Sequence, residues 1–96
     1  MDIVIHLASR DAQAIKDILN KDEKVSRASM VFRDASSLGK EGQLCHIAGT
    51  EEQCRQALDI VKEVAKETDA ETKEAFLRKL REEEEAAGAG FGSLFG

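Results

Sequence analysis

The chain predicts an α+β fold. Its core is a β-α-β-β-α unit, a three-stranded antiparallel sheet with two helices on one face, followed by a third, charged helix and a flexible tail. Three observations predict it. Apolar residues alternate at a period of two in three short stretches, and they recur at helical spacing in two stretches beside them. The last fifteen residues then give up this patterning for glutamate, alanine and glycine. Ninety-six residues leave room for one modest core and a tail.

Residues 2–8 alternate Ile3, Ile5 and Leu7 against Val4 and His6, the pattern of a strand with one apolar face. Ser9 is a natural N-cap. Ala12, Ile15, Ile18 and Leu19 then give a helix from about Arg10 to Asn20 one buried stripe. A polar cluster, Asn20 to Glu23, ends it.

Val25 to Arg33 alternates again, with Ala28, Met30 and Phe32 on one face and Val25, Arg27, Ser29, Val31 and Arg33 on the other. The polar, glycine-bearing connection from Asp34 to Gly42 joins this strand to a third, Gln43 to Ala48, as a hairpin. Thr50 caps the next helix and Gln53 completes a capping box. Cys54, Ala57, Leu58, Val61 and Val64 or Ala65 bury one side of that helix to about Glu67. A break and a second cap follow at Thr68 and Asp69. Ala70 to Glu85 predicts a third helix, thinly apolar at Phe76, Leu77 and Leu80. Its early acids, Glu71 and Glu74, and later bases, Arg78, Lys79 and Arg81, suit the helix dipole. The organisation is thus a small α/β domain over 1–67, a charged helix over 68–85 and a flexible Gly-rich tail over 86–96.

A right-handed crossover places the third strand between the first and second. That is most of a ferredoxin-like unit without its fourth strand, and it leaves one edge of the first strand free to pair. A homodimer through that edge, or cover by the third helix, satisfies it equally well.

The net charge of −5 is unevenly placed. Residues 1–66 carry ten Lys/Arg against eleven Asp/Glu, whereas residues 67–96 carry four against eight. Phosphate contacts need cations, so the acidic tail is a poor ligand for nucleic acid. No apolar run approaches the length of a membrane helix, and no leader pattern follows Met1, so a cytoplasmic protein without a membrane partner is expected. Cys45 and Cys54 stand nine apart without a second pair; this excludes a zinc framework and points to buried, reduced thiols. No cofactor or metal is implied.

Candidate binding residues lie in two places on the domain. Gly39-Lys40-Glu41-Gly42 resembles the G-x-x-G loop of KH domains, which clamps nucleic-acid backbone, and Ile47 to Gln53 resembles the passage from strand to helix late in that module. In KH domains the loop joins two helices; here it joins two strands, and a plain hairpin loop is the simpler reading. The second place is the sheet face away from the two helices, where Arg27, Ser29, Arg33 and His46 gather with His6. Together with Lys40 these residues form a candidate RNA or protein contact. A catalytic or metal pair would need a carboxylate or thiolate aimed at the histidines, and Cys45 points to the other face. No nucleophile, base and orienting group fall into a set, so an enzyme is not expected.

The tail runs Glu82-Glu83-Glu84-Glu85-Ala86-Ala87-Gly88-Ala89-Gly90-Phe91-Gly92-Ser93-Leu94-Phe95-Gly96. Phe91, Leu94 and Phe95 are spaced three and four apart, the spacing of one helical face laid into a hydrophobic groove. This segment resembles the C-terminal tail of the archaeal ribosomal stalk protein, the acidic P-protein, in its acidic run, its small-residue hinge and its terminal Gly-Phe-Gly-Ser-Leu-Phe-Gly. The resemblance covers about residues 82–96. It implies binding to translational GTPases, the elongation and initiation factors, with Phe91, Leu94 and Phe95 as contacts and Gly90, Gly92 and Gly96 matching the pattern around them. Stalk proteins begin with an all-helical dimerisation domain, whereas residues 1–66 read as α/β. The resemblance therefore implies a translation-associated interaction protein that carries a stalk-like tail while its domain docks on ribosome, RNA or another protein. The alternative is an RNA-binding ferredoxin-like or KH-like module whose tail is incidental. A small-ligand regulatory domain acting as a dimer is a third class.

Overall fold

The computed structural model describes the backbone of residues 1–95 and the side chains as far as Glu84. Four strands, β1 (Asp2–Leu7), β2 (Ser29–Asp34), β3 (Gln43–Ala48) and β4 (Ala65–Glu67), form one antiparallel sheet in the order β2-β3-β1-β4. Helices α1 (Ala12–Lys21) and α2 (Glu51–Val61) pack on one face, and α3 (Ala70–Phe95) crosses the other. The fold is α+β, as its patterning predicts, and β3 lies between β1 and β2.

The main core follows from the strand alternation. Ile3, Ile5 and Leu7 of β1 and Cys45 and Ile47 of β3 point to the same face, where they meet Ile15 and Leu19 of α1 and Cys54, Ala57 and Val61 of α2. Each of these side chains is buried. Met30 and Phe32 of β2 pack half-buried against the edge of this cluster, and Lys16 of α1 stands 5.0 Å from the Phe32 ring centre. Thr50 accepts from the Gln53 backbone N–H at 3.1 Å while Gln53 Oε1 accepts from the Thr50 N–H at 2.9 Å, the reciprocal bonds of the expected capping box.

Several expectations need correction. The sheet has four strands, not three: α2 stops at Val61, and Ala65–Glu67 turns back to pair with Ile5–Leu7. A strand this short carries no readable alternation, and Val64 and Ala65 mimic one more helical turn. The edge of β1 is consequently occupied. Beyond β4 the Thr68 N–H and hydroxyl both donate to the Val4 carbonyl, at 2.9 and 3.2 Å.

Val25 belongs to the core rather than to a polar strand face, because Val25–Arg27 is a 3-10 turn before β2 begins. Asp22 Oδ1 holds that turn by accepting from the Lys24 and Val25 N–H groups, each at 3.0 Å. Ser9 does not cap α1, since Ser9–Asp11 is itself a 3-10 turn leading into the helix. Ile18 lies toward solvent at 39% exposure, off the buried stripe. Finally, α3 runs past the boundary expected near Glu85, where Ala86, Ala87 and Ala89 favour helix. The flexible tail expected over 86–96, with its candidate contacts Gly90, Phe91, Gly92, Leu94 and Phe95, falls on side chains outside the described residues.

Candidate functional site

The sheet face opposite α1 and α2 carries most of the residues picked out from the domain sequence, and α3 lies across it. Val4, Ala35, Leu44 and Phe76 are buried there, with Leu38 and Leu80 packed beside them. Asp69 seats the start of the helix: its carboxylate accepts from the Thr72 N–H at 2.7 Å, and the bonds to Thr72 hold the Asp69 carboxyl below the usual carboxylate range. A groove of about 630 Å³ opens next to this second core, between the sheet and α3, lined by Ser29, Val31, Arg33, His46, Leu77 and Leu80 among others.

Strand parity builds the polar wall of the groove. Asp2 and Val4 share a face, and His46 stands opposite Val4 in the β1-β3 register. His46 Nε2 therefore lies 3.0 Å from Asp2 Oδ2. Lys73 Nζ reaches the same residue from α3, 3.2 Å from Oδ1 and 2.7 Å from the Asp2 carbonyl. The hydrogen bond from His46, followed by Lys73, holds the Asp2 carboxyl below its ordinary range despite some desolvation. Asp2 and Lys73 escaped sequence reasoning. For Asp2 the signal was its parity with Val4 and His6; for Lys73 there was none before the sheet and helix were placed together.

Of the sequence candidates, Ser29, Arg33 and His46 converge on this groove. Arg33 is committed there to Glu83 of α3, with Nε and Oε2 3.1 Å apart. Arg27 does not join them, because its 3-10 turn lies outside the sheet, beside Thr50, Glu52 and Gln53. Lys40 is exposed in the loop, near Asp69, Glu71 and Thr72. His6 and His46 share a face but engage different partners: His6 Nε2 lies 2.6 Å from the Glu41 carbonyl. His6, Arg27, Ser29, Arg33, Lys40 and His46 therefore form no single open basic surface. In the groove Asp2 pairs with His46 and with Lys73 of α3, and Arg33 pairs with Glu83 of α3, so these charged groups hold α3 on the sheet.

The thiols are closed to chemistry. Cys45 and Cys54 are both buried and unbridged. Desolvation pushes Cys45 up to about 12 and Cys54 upward as well, so neither is a ready thiolate. Among the described residues no group of three or more His, Cys, Asp or Glu is placed to hold a metal ion, and no helix is long and apolar enough to cross a membrane. No protein-family model, no curated protein and no solved structure matches the chain.

Proposed function

We propose that this chain is a cytoplasmic, archaeal translation-associated interaction protein whose C-terminal peptide binds translational GTPases. Its α/β domain docks on ribosome, RNA or another protein. The observation that carries the reading is the terminal sequence itself, an acidic run and small-residue hinge followed by Gly90-Phe91-Gly92-Ser93-Leu94-Phe95-Gly96. Phe91, Leu94 and Phe95 are the anchors, and they enter a hydrophobic groove on an elongation or initiation factor.

The placement of α3 supports this reading. Thr72, Phe76 and Leu80 root the helix against the sheet, while Arg81, Glu82, Glu83 and Glu84 are exposed. The domain thus grips the helix as far as the Arg33–Glu83 pair and leaves Glu82 and Glu84 toward solvent. Glu82 to Glu85 steer the peptide toward a basic groove, an effect that weakens as salt rises. Attachment of the domain to a nearby component raises the effective concentration of the peptide at its target.

Competition tests the proposal. The full chain is bound to an archaeal elongation factor and challenged with a peptide of a stalk-protein tail. Displacement by the peptide is expected if both use one groove. A chain that binds no elongation or initiation factor, or that stays bound at saturating peptide, contradicts the proposal.

A further inference from the structure

The outer edge of β2 has no partner strand among the described residues, and the ladder tells which of its backbone groups are free. Met1 and Gly49 exchange both backbone hydrogen bonds, the Met1 ammonium donating to the Gly49 carbonyl at 3.1 Å and the Gly49 N–H to the Met1 carbonyl at 3.0 Å. Hydrogen-bonded and non-bonded pairs alternate along an antiparallel ladder. Ile47, Cys45 and Gln43 of β3 therefore bond to β1, and Ala48, His46 and Leu44 bond to β2. Opposite the latter stand Ser29, Val31 and Arg33. Their backbone groups point into the sheet, so those of Met30 and Phe32 point out of it. The Phe32 carbonyl agrees: it accepts from the Arg33 guanidinium, at 2.9 Å, and not from a strand.

Few of the devices that keep edge strands from pairing are present. The chain has no proline, the β2-β3 register runs unbroken from Ser29 to Asp34, and the edge is six residues long. Its charged guards among the described residues are the exposed Arg33 side chain over one carbonyl, Asp34 at the strand end and Lys16 of α1 over the Phe32 ring.

We propose that β2 pairs antiparallel with β2 of a second copy of this chain, about a two-fold axis at Val31, to make one continuous sheet. A two-fold perpendicular to the sheet keeps each face on its own side, so residues brought opposite one another must share parity. Centring at Val31 sets Met30 opposite Phe32 of the partner subunit, both with outward backbone groups, so that each such pair exchanges two hydrogen bonds. A thioether then meets an aromatic ring, and Val31 meets its own copy, a β-branched pair. Arg33 falls opposite Ser29 of the partner subunit. The neighbouring registers are worse: centring at Phe32 draws together the two Lys16 ammonium groups that stand over the rings, and centring at Met30 runs Arg33 past the end of the partner strand, toward the 3-10 turn that carries Arg27 of the partner subunit. Val31 is the centre that opposes no like charges.

In this dimer both α3 helices lie on the same face of the joint sheet, so both C-terminal segments leave from one side. The dimer rests on the β2 edge and stands or falls independently of what the tail binds.

Sedimentation equilibrium on the full chain tests it. Wild type is expected at twice the 10.5 kDa chain mass. Val31→Lys and Val31→Glu each place like charges on the axis and are expected as monomers, while an equimolar mixture of the two returns to the dimer mass. Met30→Pro removes an outward N–H without touching the inner ladder and is also expected as a monomer, with circular dichroism checking the fold of each variant. A wild type that remains monomeric at every concentration overturns the proposal. So does a dimer that survives in both charge variants and in Met30→Pro.

Discussion

At Cys45 the burial of one thiol makes a pH dependence that can be measured. Its pKa is pushed up to about 12 from an ordinary value of 9.0, because the thiolate cannot be solvated among Ile3, Ile5 and Ile47. The folded form keeps this proton where the unfolded chain loses it. The stabilisation is therefore complete below about pH 9 and is lost as pH rises toward 12. Urea denaturation between pH 7 and 10.5 is expected to show falling stability above pH 9, with a shallower fall in Cys45→Val. Asp2 works in the opposite sense. Its lowered pKa contributes stability above the ordinary value of 3.8 that is lost on acidification, and Asp2→Asn should flatten the acid limb of the same profile. Gly42 is a third residue with a specific demand. Its φ of 83° is unfavourable for any other residue, and a Cβ there would collide with the Leu7 carbonyl. Gly42→Ala is expected to cost more than about 1 kcal/mol, read as a lower denaturation midpoint at unchanged slope.

At the scale of elements, the long periodic segments were legible and the short or composite ones were not. β1, β3, α1 and α2 follow from alternation and from i, i+3, i+4 spacing, and the capping box at Thr50 and Gln53 was readable from residue types alone. Thr50→Ala should lower stability by about 1 kcal/mol, because it leaves the Gln53 N–H without its acceptor. β4 stayed hidden for a physical reason: three residues, Ala65, Lys66 and Glu67, gain strand geometry from pairing with β1 and carry no pattern of their own. Val25 was misplaced because a side-chain acceptor, Asp22, bends the chain into a 3-10 turn that alternation does not foresee. Sequence placed Ser29, Arg33 and His46 on one face correctly, but that α3 would cover this face depended on tertiary packing around Phe76. Phe76→Ala should cost about 3–5 kcal/mol and loosen α3 first, seen as faster amide exchange from Ala70 to Leu80 while β1 and β3 stay protected.

For the molecule as a whole, the two faces of the sheet divide the work. One buries the main core under α1 and α2, and the other seats α3 through Phe76, Leu80 and the Asp2-His46-Lys73 network. Charge follows the same division, with a nearly neutral domain and an acidic C-terminal part. A helix rooted at Phe76 and Leu80, with Glu82, Glu83 and Glu84 exposed ahead of the terminal sequence, is what the proposed tethered recognition peptide needs. Calorimetric titration of the full chain into a purified archaeal elongation factor tests it most directly, beside the chain with Phe91, Leu94 and Phe95 all changed to Ala. Saturable binding with Kd on the order of micromolar is expected, and it disappears in the triple variant. Binding of equal strength by both proteins would contradict it, and so would the absence of binding by the wild-type chain.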